Sequence, residues 1–173
     1  EKTVKQNKED IKENSMNHEI PVRIVDNQEY MKVVRSILEE GREVPLVVTG
    51  NSMMPFLIDK RDQVLIKKIE RPLKKGDIAF FQRENGQYIM HRIHFIRKDD
   101  RTGENQFYFI GDGQKEIEGP IRQSQIFGVI TAVLRKGKRL NEHTFTWKFF
   151  KNIWRYVIPF RMTIIRIYSL FKH

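Results

Sequence analysis

Across residues 44–134 the chain is a succession of short apolar segments separated by turn residues, with no helical stretch between them. Few folds accept that pattern. The segments 44–48, 63–69, 78–82, 88–96, 107–110 and 126–134 have strand length and strand composition, rich in Val, Ile, Phe and Tyr. With no helices to carry crossovers, strands at this spacing assemble as an antiparallel β domain. Glu84-Asn85-Gly86 marks a hairpin between two of them. The polar run 98–105 suits an exposed loop tip.

The flanks read differently. Asp26 or Asn27 can cap a helix that runs to about Glu40, with Tyr30, Val33, Val34, Ile37 and Leu38 on one stripe and Gly41 after its end. Residues 1–20 are poor in apolar side chains and rich in Lys, Glu and Asn, which predicts a flexible polar arm. Residues 141–173 mix aromatic and basic side chains in helical spacing. The expected architecture is therefore mainly β: an arm (1–20), a β domain with an N-terminal helix (21–140), and a basic, aromatic, amphipathic helical tail (141–173). At 173 residues and 39% apolar content, one core of moderate size is expected.

The apolar run 44–48 leads into Thr49-Gly50-Asn51-Ser52-Met53-Met54-Pro55, where Gly50 gives backbone freedom and Pro55 ends regular structure. On its own, a serine in a Gly-Asn turn caps backbone groups. Nucleophilic use needs a base within reach, because a serine hydroxyl is weak at neutral pH. His91 stands in the segment 88–96, where alternation places it with Ile89, Ile93 and Phe95, and His94 with Met90 and Arg92. Asp112 follows the aromatic segment Phe107-Tyr108-Phe109 in a Gly-Asp-Gly turn. Asp62 and Asp77 sit at turn-to-strand junctions and read as structural.

Gly50-Asn51-Ser52-Met53-Met54-Pro55 resembles the nucleophile box of the type I signal peptidases and of the related self-cleaving SOS repressors. Further boxes recur in the family's order: Asp62-Gln63-Val64, Lys75-Gly76-Asp77-Ile78, Met90-His91-Arg92-Ile93, Gly111-Asp112, and Gln125-Ile126-Phe127-Gly128. The resemblance implies a signal peptidase or SOS-repressor-like catalytic β domain and a serine endopeptidase that cleaves leader or signal-type peptides. Met90-His91-Arg92-Ile93 resembles the histidine type, as in the endoplasmic reticulum and archaeal enzymes and some Gram-positive ones. Ser52 would then be the nucleophile, His91 the general base and acid, and Asp112 the residue that orients the imidazole, with Glu116 or Glu118 as fallback. Gly113 departs from the asparagine usual after the Gly-Asp pair. The oxyanion hole would draw on the Ser52 amide with Gly50 or Thr49, since Gly50 stands where many signal peptidases carry a second hydroxyl. Met53 and Met54 would line the substrate site, and the substrate would be a peptide or protein in extended conformation. The rival reading is a non-catalytic or self-processing regulator that keeps the β domain as a peptide-binding module.

The remaining constraints come from charge and from absent residue types. Of the formal net charge of +10, residues 134–173 contribute ten basic side chains against the single acid Glu142, so the rest is nearly neutral. That tail favours an anionic membrane surface through residues 144–172, or a partner protein; nucleic acid comes third. No uncharged run after Lys148 exceeds five residues, far below the ~20 of a membrane span. Residues 22–40, where the resemblance implies an anchor, are amphipathic and charged, so a cytoplasmic or peripheral relative, or a piece of a longer enzyme, is expected. There is no cysteine, which removes disulfides and thiolate catalysis. The five histidines show no i, i+4 pair, so no metal and no cofactor is expected.

Overall fold

The computed structural model describes residues 27–170; the expected polar arm, residues 1–20, lies outside them. Helix α1 (Asn27–Glu39) opens the described chain where a helix is expected, but the face it buries is Met31, Val34 and Leu38, while Tyr30 and Val33 of the expected stripe are exposed. It is followed by strands β1 (Val44–Val47), β2 (Asp62–Lys67), β3 (Ile78–Gln82), β4 (Tyr88–Lys98), β5 (Asn105–Ile110), β6 (Ile117–Arg122), β7 (Ile126–Arg135) and β8 (Lys138–Asn141). All eight form one open antiparallel sheet in the order β1-β2-β7-β3-β4-β5-β6, with β8 also paired to β7. The fold is thus mainly β, with helical segments at both ends.

The period of two along each strand divides the apolar residues between two cores. Ile78 packs with Met31, Val34, Leu38, Phe56, Ile66 and Trp147, beneath α1. Its neighbour Ala79, with Phe81, joins Ile93, Phe107, Phe109, Ile121 and Val129 on the opposite side. Gly128 allows β7 to lie close to Ile66, whose Cγ2 occupies the space a side chain would need.

Two strands escaped sequence reading. β6 carries Gly119-Pro120, a pair that breaks the usual pattern, and is tolerated because among the described residues β6 pairs on one side only, with β5. β8 is four residues long and polar, held by register with β7 after the Lys136-Gly137 turn. The expected hairpin at Glu84-Asn85-Gly86 is present, with the Arg83 amide donating to the Gln87 carbonyl at 2.8 Å and Gly86 at φ +85°.

The C-terminal tail is divided. Helix α2 (Phe145–Asn152) gives way to a 3-10 segment (Trp154–Phe160) that contains Pro159, and α3 (Arg161–Leu170) follows. Proline lacks the amide an α-helix needs there, which accounts for the tighter middle segment. Trp147 and Trp154 are buried, so the tail packs on the β domain instead of standing off it.

Candidate active site

The serine turn is pinned at several points. Val48 continues the β1 ladder by donating to the Asp62 carbonyl, and Asp62 in turn accepts from the Ile58 amide and from Arg61 and Arg135. Gly50 takes φ +84°, a left-handed conformation in which its amide donates to Asp59 Oδ1 at 2.8 Å. The Met54 amide donates to the Asn51 carbonyl at 3.1 Å. Met53, Phe56 and Leu57 are buried and fasten the turn to the core, while Ser52 is half-buried at the rim of a cavity.

His91 enters from β4. It pairs in register with Ala79 of β3, its ring lies 6.4 Å from the Phe81 ring, and only 5% of it is exposed. Burial lowers its pKa from 6.5 to about 4, with Arg83 acting in the same direction and Glu118 and Asp112 opposing it. The imidazole is therefore neutral at pH 7. Its Nδ1 is buried without a hydrogen-bond partner among the described residues, and Glu118 Oε2 stands 3.9 Å away. Glu118 is itself gripped by Arg83, whose Nη2 donates to Oε2 at 2.6 Å and whose Nε donates to Oε1.

Beyond Ile93 the alternation expected of this strand fails, because the pairing of β4 with β5 shifts register between Ile93 and Phe95. The residue absorbed there is His94. Ile96, not Phe95, consequently continues the apolar face of Ile89 and Ile93. Phe95 turns away to stack on Tyr108 at 4.3 Å under the Arg97 guanidinium.

Ser52, His91, Thr49 and Met53 all line one cavity of about 380 Å³, walled by Leu46, Val47 and Val48 of the β1 side and by residues 88–91 of β4, with Tyr30 and Met31 of α1 at one margin. Gly50 and Met54 are not on its wall. The cavity is bordered by open backbone. Among the described residues β1 pairs only with β2, and residues 88–91 of β4 pair only with β3, since the register with β5 begins at Arg92. An extended chain laid between them could add hydrogen bonds to a free strand edge.

Asp112 lies elsewhere. It is fully buried, and both its oxygens are taken by Arg92, from Nε to Oδ1 at 2.9 Å and from Nη2 to Oδ2 at 2.7 Å. Arg92 also donates to the Gly76 carbonyl at 3.0 Å and lies over the Phe56 ring at 5.1 Å. The expected bond from this carboxylate to His91 is therefore not made: the strand sends His91 to one face and Arg92 to the other, and the carboxylate follows the arginine. Its neighbours touch the serine turn instead. Gly113 donates its amide to the Ser52 carbonyl at 2.8 Å. A Cβ at Gly111 would press on that same carbonyl, and one at Gly113 would lie 2.9 Å from the Met54 carbonyl. Close packing on this particular turn is what glycine on both sides of Asp112 permits.

Comparison with family models gives one match, over residues 15–102, described as Peptidase S24-like. It covers just over half of the chain, including the serine turn and His91, and stops short of Asp112. The chain belongs to the peptidase S24-like family. No curated protein matches it.

In this S24-like domain the residues that sequence reasoning undervalued are arginines. Arg92 and Arg161 are, with 2% and 0% exposure, the largest fully buried side chains. Arg92 was detectable: alternation placed it opposite His91 on an apolar strand, where a guanidinium needs a carboxylate. Arg83 and Arg161 carried no such local signal, because their partners lie 35 and about 50 residues away in sequence. Among the described residues no group of His, Cys, Asp and Glu could hold a metal ion, and no helix is long and apolar enough to cross a membrane.

Proposed function

We propose that this S24-like protein is a serine endopeptidase in which His91 activates Ser52 to cleave leader or signal-type peptides bound in extended form. The observation that carries the reading is that Ser52 and His91 line one cavity while burial keeps the imidazole uncharged. A neutral imidazole can accept the Ser52 proton as the hydroxyl attacks the peptide carbonyl, then return it to the departing amine. The Ser52 amide, with the Thr49 hydroxyl on the same wall, would meet the developing oxyanion; the Gly50 amide is committed to Asp59. In this reading Glu118, steadied by Arg83, takes the orienting role first expected of Asp112, since it is the carboxylate beside Nδ1. That leaves Nε2 for the serine. Substrate backbone would pair with the open edge of β1 or of residues 88–91, and side chains would enter the 380 Å³ cavity.

The test is cleavage of a leader-type peptide followed by mass spectrometry, for the intact chain and for Ser52→Ala and His91→Ala. Both variants should abolish cleavage. Full cleavage by Ser52→Ala refutes the assignment. The rival reading, a non-catalytic or self-processing module, has one observation in its favour: among the described residues Nδ1 of His91 has no hydrogen-bond partner. It predicts that added peptide is bound but never cut, or that the only new mass is a fragment of the chain itself.

A further inference from the structure

We propose that the C-terminal tail is a docking face for an anionic lipid bilayer, seated so that binding holds the serine turn at the membrane surface. Eleven large apolar side chains are exposed among the described residues, and six of them, Ile153, Tyr156, Phe160, Met162, Ile164 and Ile167, fall within fifteen consecutive positions. Soluble surfaces scatter such residues singly, whereas a concentration of this kind marks a surface that something covers.

Charge identifies what covers it. Between residues 143 and 170 there is no Asp or Glu, and the charged side chains are Lys148, Lys151, Arg155, Arg161 and Arg166. Arg161 is buried and Lys151 pairs with Asp77, while Lys148 and Arg166 are exposed. A surface that is apolar and solely cationic fits a bilayer whose headgroups are anionic, with aromatic and aliphatic side chains sinking into the headgroup region. A second copy of the same face would set cation against cation. A nucleic acid would satisfy the cations and leave Ile164 and Ile167 in water. Helix α3 has ten residues, about 15 Å, against a hydrocarbon core of about 30 Å. It can lie in the interface but cannot cross it.

The tail is rigidly joined to the site. Trp154 Nε1 donates to the Asp112 carbonyl at 2.8 Å, and Arg161 Nη1 donates to the carbonyls of Gly111 and Gln114, each at 3.0 Å. The same loop donates from Gly113 to the Ser52 carbonyl at 2.8 Å. Two contacts thus separate the exposed face from the serine turn, and a substrate presented at a bilayer would meet that turn at a fixed height.

The experiment is vesicle flotation of the full chain. Vesicles containing phosphatidylglycerol should carry it upward, pure phosphatidylcholine vesicles should carry much less, and high salt should weaken the binding. The triple variant Tyr156→Glu, Phe160→Glu, Ile167→Glu should lower partitioning roughly tenfold or more, with the near-ultraviolet signal of Trp147 and Trp154 unchanged. If the triple variant loses that signal, Phe160→Glu alone serves. Ser52→Ala should float like the parent chain, so loss of the peptidase reading would leave this result standing. Three outcomes overturn the proposal: no flotation of the intact chain at low salt, flotation unaffected by the apolar substitutions, or flotation that begins only when residues 1–26 are removed. A dimer that the triple variant dissociates, with no vesicle binding by either form, likewise assigns the face to a second copy.

Discussion

Replacing Asp112 by asparagine separates a structural carboxylate from a catalytic one. The substitution keeps shape and removes one negative charge from a site where the carboxylate is fully buried and receives two hydrogen bonds from an Arg92 that is itself 2% exposed. Arg92 would keep the Gly76 carbonyl and the Phe56 face but no countercharge, and breaking a buried ion pair by deleting one partner costs about 3 to 5 kcal/mol. With a urea slope of about 2 kcal/mol per molar for a domain this size, the unfolding midpoint should fall by about 2 M. Molecules that remain folded should cleave peptide at a rate close to that of the parent chain. An orienting aspartate behaves the other way: its asparagine variant keeps the geometry and loses about 10⁴-fold in turnover. Urea unfolding followed by tryptophan fluorescence, with cleavage measured well below the midpoint, distinguishes them. A further variant sharpens the result. Arg92→Met combined with Asp112→Leu removes both charges and should recover most of the lost stability, because no ion is left stranded. An Asp112→Asn chain that unfolds at the parent midpoint yet no longer cleaves would refute the structural assignment.

His91 supplies a pH prediction. Its folded pKa of about 4 lies below the unfolded 6.5, so between these values the unfolded chain binds more protons, and stability is lost as pH falls through that window. The loss from this residue should reach about 3 kcal/mol below pH 4, and His91→Gln should flatten that part of a urea-midpoint profile against pH. If His91 is the base, the acid limb of kcat/KM should likewise lie near pH 4, not 6.5. Glu118 and Arg83 push this group in opposite directions, so Glu118→Gln should lower the imidazole titration followed by proton NMR and Arg83→Gln should raise it. Equal shifts of one sign would contradict the placement of the pair. Gly111→Ala should displace the serine turn, because the added Cβ meets the Ser52 carbonyl, a backbone atom that cannot swing aside. The expected cost is about 1 to 3 kcal/mol in urea unfolding, with a fall in cleavage.

What was legible in the sequence is what repeats over short distances. The strands with clean alternation, the Asn85-Gly86 hairpin and helix α1 each announce themselves within a dozen residues. β6 was hidden because an edge position excuses a proline that the local pattern counts against a strand. The partner of Asp112 was hidden for a related reason: its carboxylate bonds Arg92. A Gly-Asp turn after an aromatic strand has the same appearance whether its carboxylate serves a histidine or an arginine, and His91 and Arg92 are adjacent in sequence. Only strand parity separates them, and it sends the two side chains to opposite faces.

That parity also explains how a cavity and a buried ion pair coexist at one strand. His91 faces the side of Phe81, where Glu118 approaches from β6, and Arg92 faces the side of Phe56, where Asp112 closes beneath the serine turn. Around Asp112 meet three separate stretches of chain: Arg92 on its carboxylate, Trp154 on its carbonyl, and Gly113 next to it on the Ser52 carbonyl. The loop around Asp112, held by Arg92 and Trp154, thus seats the serine turn through the Gly113 amide without touching the imidazole. If so, Arg161→Met, which removes the bonds to Gly111 and Gln114 from a distant helix, should slow cleavage of a soluble peptide even when no membrane is present. A parent-like rate in that variant, with the fold retained, would show that the serine turn holds its place without the tail.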